Sequence, residues 1–202
     1  MESKTKNQVH WMAMTAVMAA VLAVIAPFAL PIGPVPISLC TLAIYFAVYV
    51  LGWRRGTMAV VVYVLLGAVG LPVFSNFAGG LGKLAGPTGG YIIGYIPLAL
   101  IAGWFVQRFP RSRAMQLLGM VLATAVLYAL GTAWICVQAG YEVAAALGVC
   151  VFPFVPGDLV KIAAALAVGD QVTMDKAATV YGTTRKFSSW VYSAKLYVRA
   201  IS

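Results

Sequence analysis

The chain has 202 residues, of which 62% are hydrophobic and only 9% are charged. Soluble domains carry about 25% charged residues, so this composition excludes an ordinary water-soluble protein and specifies an integral membrane protein. The formal charge of +9 would suit nucleic acid if it formed one patch, but the basic residues sit in short clusters between apolar runs, which is a topology signal.

The length allows a single domain of about six spans of ~20 residues each. The first span is expected from Val9 to Leu30, with Pro27 bending its end. A basic start followed by an apolar run also fits a secretory signal, but five further apolar segments favour a span that stays in place. Ala16, Ala19, Ala20 and Ala23 form the small-xxx-small pairs Ala16/Ala20 and Ala19/Ala23. Such a stripe lets another helix approach closely, and packing within the bundle would use it equally well. Pro31–Ser38 reads as a stiff, uncharged connection. A second span covers Leu39 to Leu51, ending at Gly52-Trp53-Arg54-Arg55-Gly56, and a third runs from Thr57 to Gly70.

Between the third and fourth spans lies Leu71–Tyr91, LPVFSNFAGGLGKLAGPTGGY, with six glycines and two prolines. Glycine admits positive φ and close backbone approach, and proline fixes its own φ and removes a donor. No regular membrane helix tolerates that density, and irregular backbone at membrane depth needs protein or a water-filled cavity around it. The stretch therefore reads as a folded re-entrant or capping loop over a cavity. A flexible linker is the alternative, which Phe74, Asn76, Phe77, Lys83, Thr88 and Tyr91 make less economical, because linkers rarely need large side chains.

A fourth span runs from Gly90 to Val106 and a fifth from Ala114 to Val137, separated by the basic run Gln107–Arg113. Pro153 and Pro156 then split the last apolar stretch into a short segment, Val143–Val151, and a final helix from Pro156 to Val168. Pro156 stands at that helix's start, where a missing N–H costs least. Six spans put both termini on one side. Twelve Lys and Arg fall on that side, Lys83 alone falls in the opposite loops, and Lys161 lies within a helix. The positive-inside rule then places both termini in the cytoplasm of a multi-pass protein of the cell membrane, with the glycine loop outside. The expected fold is thus all-α, with six transmembrane helices and a Gly/Pro-rich extracellular capping loop between helices three and four. Residues 1–170 form the membrane domain and 171–202 a cytoplasmic tail.

Of five acidic residues, only Asp158 lies within an expected span, and Lys161 follows three positions later on the same helix face. A charge inside a span costs several kcal/mol by insertion scales and faces a cavity or a partner. Two readings follow: an ion pair that holds the bundle together, or a polar point in a binding cavity. The second gains from the Pro-Gly start of this helix at the level of the glycine loop.

Other chemistry finds no support. Gly82-Lys83 lacks the first glycine and the Ser/Thr of a phosphate-binding P-loop, with Phe77 and Leu84 in those places. Gly80-x-Gly82-x-x-Ala85 has no strand–helix context for a dinucleotide. Cys40, Cys136 and Cys150 lie in apolar segments without metal spacing, and His10 is the lone histidine, so they read as small buried thiols. No nucleophilic triad or paired carboxylates occur, so no enzyme activity and no metal are expected. An intramembrane enzyme would need further buried carboxylates or histidines, and a membrane scaffold would not need the glycine loop.

Gly70–Tyr95, GLPVFSNFAGGLGKLAGPTGGYIIGY, and Phe152–Ala165, FPFVPGDLVKIAAA, resemble the two signatures of the BioY family, the biotin-specific substrate-binding (S) components of energy-coupling-factor (ECF) transporters. The resemblance covers about Val9 to Val168, with both motifs in the expected order and span positions. It implies a six-helix membrane protein that captures biotin from outside as its transported substrate, with no cofactor. It implies uptake powered by a separate module of one transmembrane coupling subunit and two ATPases. Within that resemblance Asp158 suits the ureido N–H groups of biotin and Asn76 its carbonyl or remaining donor. Phe74, Phe77 and Tyr91 suit the ring, and Thr88 joins the same biotin-binding set. Lys83 or Lys161 suits the carboxylate, a charge-assisted contact worth about 1.5–3 kcal/mol. The alanine face Ala16, Ala19, Ala20 and Ala23 would meet the coupling subunit. An S component or secondary carrier for another small vitamin is the alternative.

One departure from the family pattern follows Gly169. Trp190, Val191, Ala194, Tyr197, Val198 and Ile201 form a helical stripe with Lys195 and Arg199 off it, suited to a helix on the inner leaflet. A disordered tail is the other reading.

Overall fold

The computed structural model describes residues 2–30 and 37–180. The secondary structure of the described residues is helical apart from one short ribbon. Helix α1 spans Glu2–Ile25, α2 Cys40–Ala68, α3 Leu81–Ala85, α4 Gly89–Arg108, α5 Arg113–Ala139, α6 Val143–Cys150 and α7 Val155–Val180. Among the described residues, four helices are long and apolar enough to cross a membrane: 8–25 within α1, then α2, α4 and α5. The stripe at 190–201 lies outside the described residues.

Expected boundaries shift where backbone chemistry intervenes. α1 stops at Ile25, five residues before Leu30, because the chain turns at Ala26-Pro27 and then enters strand β1 (Ala29–Leu30). β1 pairs antiparallel with β2 (Ile37–Ser38), in register Ala29↔Ser38 and Leu30↔Ile37. The fold class is all-helical as expected, and the ribbon changes only the local reading, since Ile37 and Ser38 pair with Leu30 and Ala29 rather than forming a featureless connection. At the other end α7 continues past Val168 to Val180.

The expected second and third spans are two arms of α2, hinged at Gly52 (φ 78°, ψ 174°). Only glycine takes that backbone readily. The arms fold back on each other. A methyl group on Gly56 would lie 2.9 Å from Val48 Cα, whereas eight residues of straight helix rise about 12 Å.

The core runs between α2, α4 and α5, with α1 and α7 packed on α2. α4 and α5 interlock through glycines. Gly90 leaves space for Trp134, Gly94 for Leu127, Gly119 for Phe105 and Gly131 for Tyr91. Dispersion contacts and close approach of small residues drive helix association in lipid, where burial of apolar surface gains little. Tyrosines of α2 are hydrogen-bonded to polar groups of α5. The Tyr49 hydroxyl donates to Gln116 Oε1 at 2.8 Å, and Gln116 Nε2 donates to the Phe109 and Pro110 carbonyls at 3.0 and 3.1 Å. The Tyr45 hydroxyl and Thr124 Oγ1 lie 2.7 Å apart.

This packing makes a direct expectation. Gly119→Val drives a branched side chain into the Phe105 ring and should cost about 1–3 kcal/mol, as overpacking generally does. Thermal melting of the purified chain in detergent checks it. Leu118→Val, at a lipid-facing neighbour 45% exposed, should leave the melting point nearly unchanged.

Candidate functional site

The glycine loop is folded. Phe74 is fully buried, with its ring over Gly67 of α2 and edge-on to Tyr63 at 5.7 Å. Its N–H donates to the Ala78 carbonyl at 2.9 Å, closing a tight turn in which Asn76 and Phe77 take positive φ (62° and 56°). The Asn76 N–H donates to the Pro27 carbonyl at 3.0 Å and the Gly80 N–H to the Gly67 carbonyl at 2.7 Å. At the far end Trp134 Nε1 donates to the Gly86 carbonyl at 2.9 Å. Asn76 and Phe77 are exposed, Lys83 on α3 is half-buried, and Thr88 is buried just before α4.

Asp158 and Lys161 lie on the first turns of α7, 8% and 9% exposed. The helix N-terminus favours a carboxylate there. Lys161 Nζ donates to Asp158 Oδ1 at 2.9 Å and to the Ser38 carbonyl at 2.7 Å. The Tyr128 hydroxyl of α5 donates to Asp158 Oδ2. A buried ion pair is sustainable when further hydrogen bonds satisfy its remaining atoms, and this one has them. The pair thus ties α7 to β2 and to α5.

The same pair forms one wall of a small, partly open chamber of about 40 Å³. Ser38 and Thr41 line it with Tyr91 and Tyr95 of α4, and Leu127, Tyr128, Cys150 and Phe154 complete it. Tyr91 is held in place, with its hydroxyl donating to the Cys150 carbonyl at 3.3 Å. Ordinary ligand sites occupy about 300–1,000 Å³. A bicyclic ligand therefore requires these walls to part.

Of the eight side chains expected at the ligand, the structure brings Asp158, Lys161 and Tyr91 to this chamber. Phe74, Asn76, Phe77, Lys83 and Thr88 are not among its walls. Phe74 instead packs in the core. Tyr128, Tyr95, Ser38 and Thr41 were not anticipated. Tyr128 carried one faint signal, a polar ridge of Gln116, Thr124, Tyr128 and Thr132 at multiples of four along α5. On α1, Ala16 and Ala20 are exposed, Ala23 is half-buried, and Ala19 is 1% exposed within the core. The two small-residue pairs therefore occupy different faces.

A model of the BioY family matches residues 1–177. The chain is 40% identical over 152 residues to the biotin transporter BioY of Thermotoga maritima, covering 75% of this chain and 89% of that protein. It is 35% identical over 159 residues to a probable biotin transporter BioY of Pyrococcus horikoshii, covering 79% and 93%. Its fold is similar to a crystal structure of the S-component for biotin from an ECF-type ABC transporter. The TM-score is 0.75 with 26% identity, over 83% of this chain and 92% of that one.

Proposed function

The chain belongs to the BioY family, and from that membership we propose how it captures biotin and passes it on. It is a multi-pass membrane protein, the biotin-binding S component of an ECF-type ABC transporter, and not an enzyme. Biotin is its transported substrate and the ECF module its partner; another vitamin is not favoured by relatives of this kind.

Six spans are formed by α1, the two arms of α2, α4, α5 and α7. Both termini face the cytoplasm, as twelve basic residues against one favour. The membrane domain covers residues 1–170, and the tail that follows begins as a continuation of α7. Energy comes from one coupling subunit and two ATPases, and the coupling subunit meets α1 at Ala16 and Ala20, with Ala23 beside them.

The observation that carries the binding mode is the hydrogen-bonded Asp158–Lys161 pair on the wall of a chamber lined mainly by aromatic rings. Asp158 accepts the ureido N–H groups, Tyr91 covers the ring, and Lys161 or Lys83 meets the carboxylate. Asn76, Phe77 and Thr88 close over the ligand from the glycine loop, with Phe74 anchoring that loop in the core. Equilibrium binding to the purified chain tests this. Biotin should bind saturably with a stoichiometry of one, and neither thiamin nor riboflavin should compete. Equal binding of all three would refute the assignment.

The loop gives a second expectation. A lid opens and closes, so its order depends on ligand. Saturating biotin should slow amide hydrogen exchange across 75–86 more than at 52–56 or 108–113. Protection unchanged by biotin would reduce the stretch to a passive connection.

A further inference from the structure

Tyr128 borders three spaces. It lines the small chamber beside Asp158 and Lys161. It also lines a mostly apolar crevice of about 160 Å³ between α5 and α7, shared with Asp158, Ala125, Val155 and Leu159. A larger groove of about 500 Å³ between α5 and α6 is bounded by Tyr128, Ala125 and Ala129. Ala125 touches both outer spaces and not the chamber, and Ala129 touches only the larger one. The half-buried Tyr128 ring, with Asp158 beside it, thus stands between the chamber and this apolar crevice.

The ring is held there by a single polar contact, its hydroxyl on Asp158 Oδ2, while Lys161 occupies Oδ1. A ligand donor aimed at Asp158 competes with that hydroxyl, because a chamber of about 40 Å³ cannot seat both. The crevice beside it offers the ring an apolar place to go at no cost in buried polar groups other than the hydroxyl.

We propose that Tyr128 is a movable partition that governs entry to the chamber. On ligand arrival its hydroxyl releases Asp158, the ring turns into the α5–α7 crevice, and the chamber widens beside the carboxylate. Tyr128 thereby sets the size of the group accepted next to Asp158. This rests on the biotin assignment above, and biotin is the probe.

The test measures biotin association and dissociation rates on the full chain in lipid nanodiscs. Tyr128→Phe keeps the ring and removes its latch, so association should accelerate by fivefold or more. Ala125→Phe fills the crevice from an exposed position without touching the chamber, and association should slow by tenfold or more. Ala129→Phe, which fills only the other groove, should match the unmodified chain. Melting temperatures confirm that each variant is folded. Tyr128→Phe associating no faster, or Ala125→Phe associating as fast as Ala129→Phe, would show a fixed wall and overturn the partition. An unmodified chain that binds no biotin is a distinct result and would overturn the assignment beneath it.

Discussion

Asp158→Asn is expected to weaken biotin binding by about ten- to a hundredfold while the chain remains folded. The substitution keeps the shape of the side chain and removes its charge. Hydrogen bonds to a charged partner contribute about 1.5–3 kcal/mol, and each 1.4 kcal/mol is a factor of ten. Lys161 does not become an orphan, since it keeps the Ser38 carbonyl at 2.7 Å and can use the amide oxygen of the new residue. That retained contact matters, because removing one member of a buried pair otherwise costs about 3–5 kcal/mol of stability. Calorimetric titration with biotin and thermal melting separate the two roles. If Asp158 serves only to pair Lys161, the melting temperature falls and the affinity holds, and the ligand assignment fails.

The second large effect belongs to a different surface and a different readout. Ala16→Trp combined with Ala20→Trp should abolish ATP-driven biotin uptake by the assembled transporter and leave biotin affinity of the isolated chain unchanged. Both methyl groups are exposed on α1, so an indole at either place points away from the described core. Packed helices lie about 8–10 Å apart, and small residues permit the closest approaches. Two indoles hold a docking helix away. Ala19→Trp should behave otherwise and lower stability first, because Ala19 is buried. Equal loss of uptake and affinity in the Ala16/Ala20 variant would make that face internal packing.

Local chemistry was legible in the sequence, and contacts across the bundle were not. Gly52 and the arginines after it announced a break, and α2 folds back there. Pro153 and Pro156 separated α6 from α7. The spacing of Asp158 and Lys161 put both on one face, and the pair is formed. By contrast, only the faint polar ridge along α5 marks Tyr128, because its partner lies thirty residues away on α7. Ser38 enters the site through its carbonyl, which no side-chain pattern reveals. Phe74 looked like a ligand-facing aromatic, yet Gly67 offers it a bare patch of helix, and dispersion contact there wins. The strands β1 and β2 are two residues each, too short to carry an alternating pattern.

The toothed seam between α4 and α5 has a genetic consequence. Each ring on one helix fits a glycine on the other, at 91 with 131, 105 with 119 and 134 with 90. A side chain gained on the glycine side is tolerable only if the opposing ring shrinks in the same protein. Random mutagenesis of this chain should accordingly recover changes at these places as compensating pairs of opposite volume, while substitutions on the lipid-facing backs of the two helices accumulate singly.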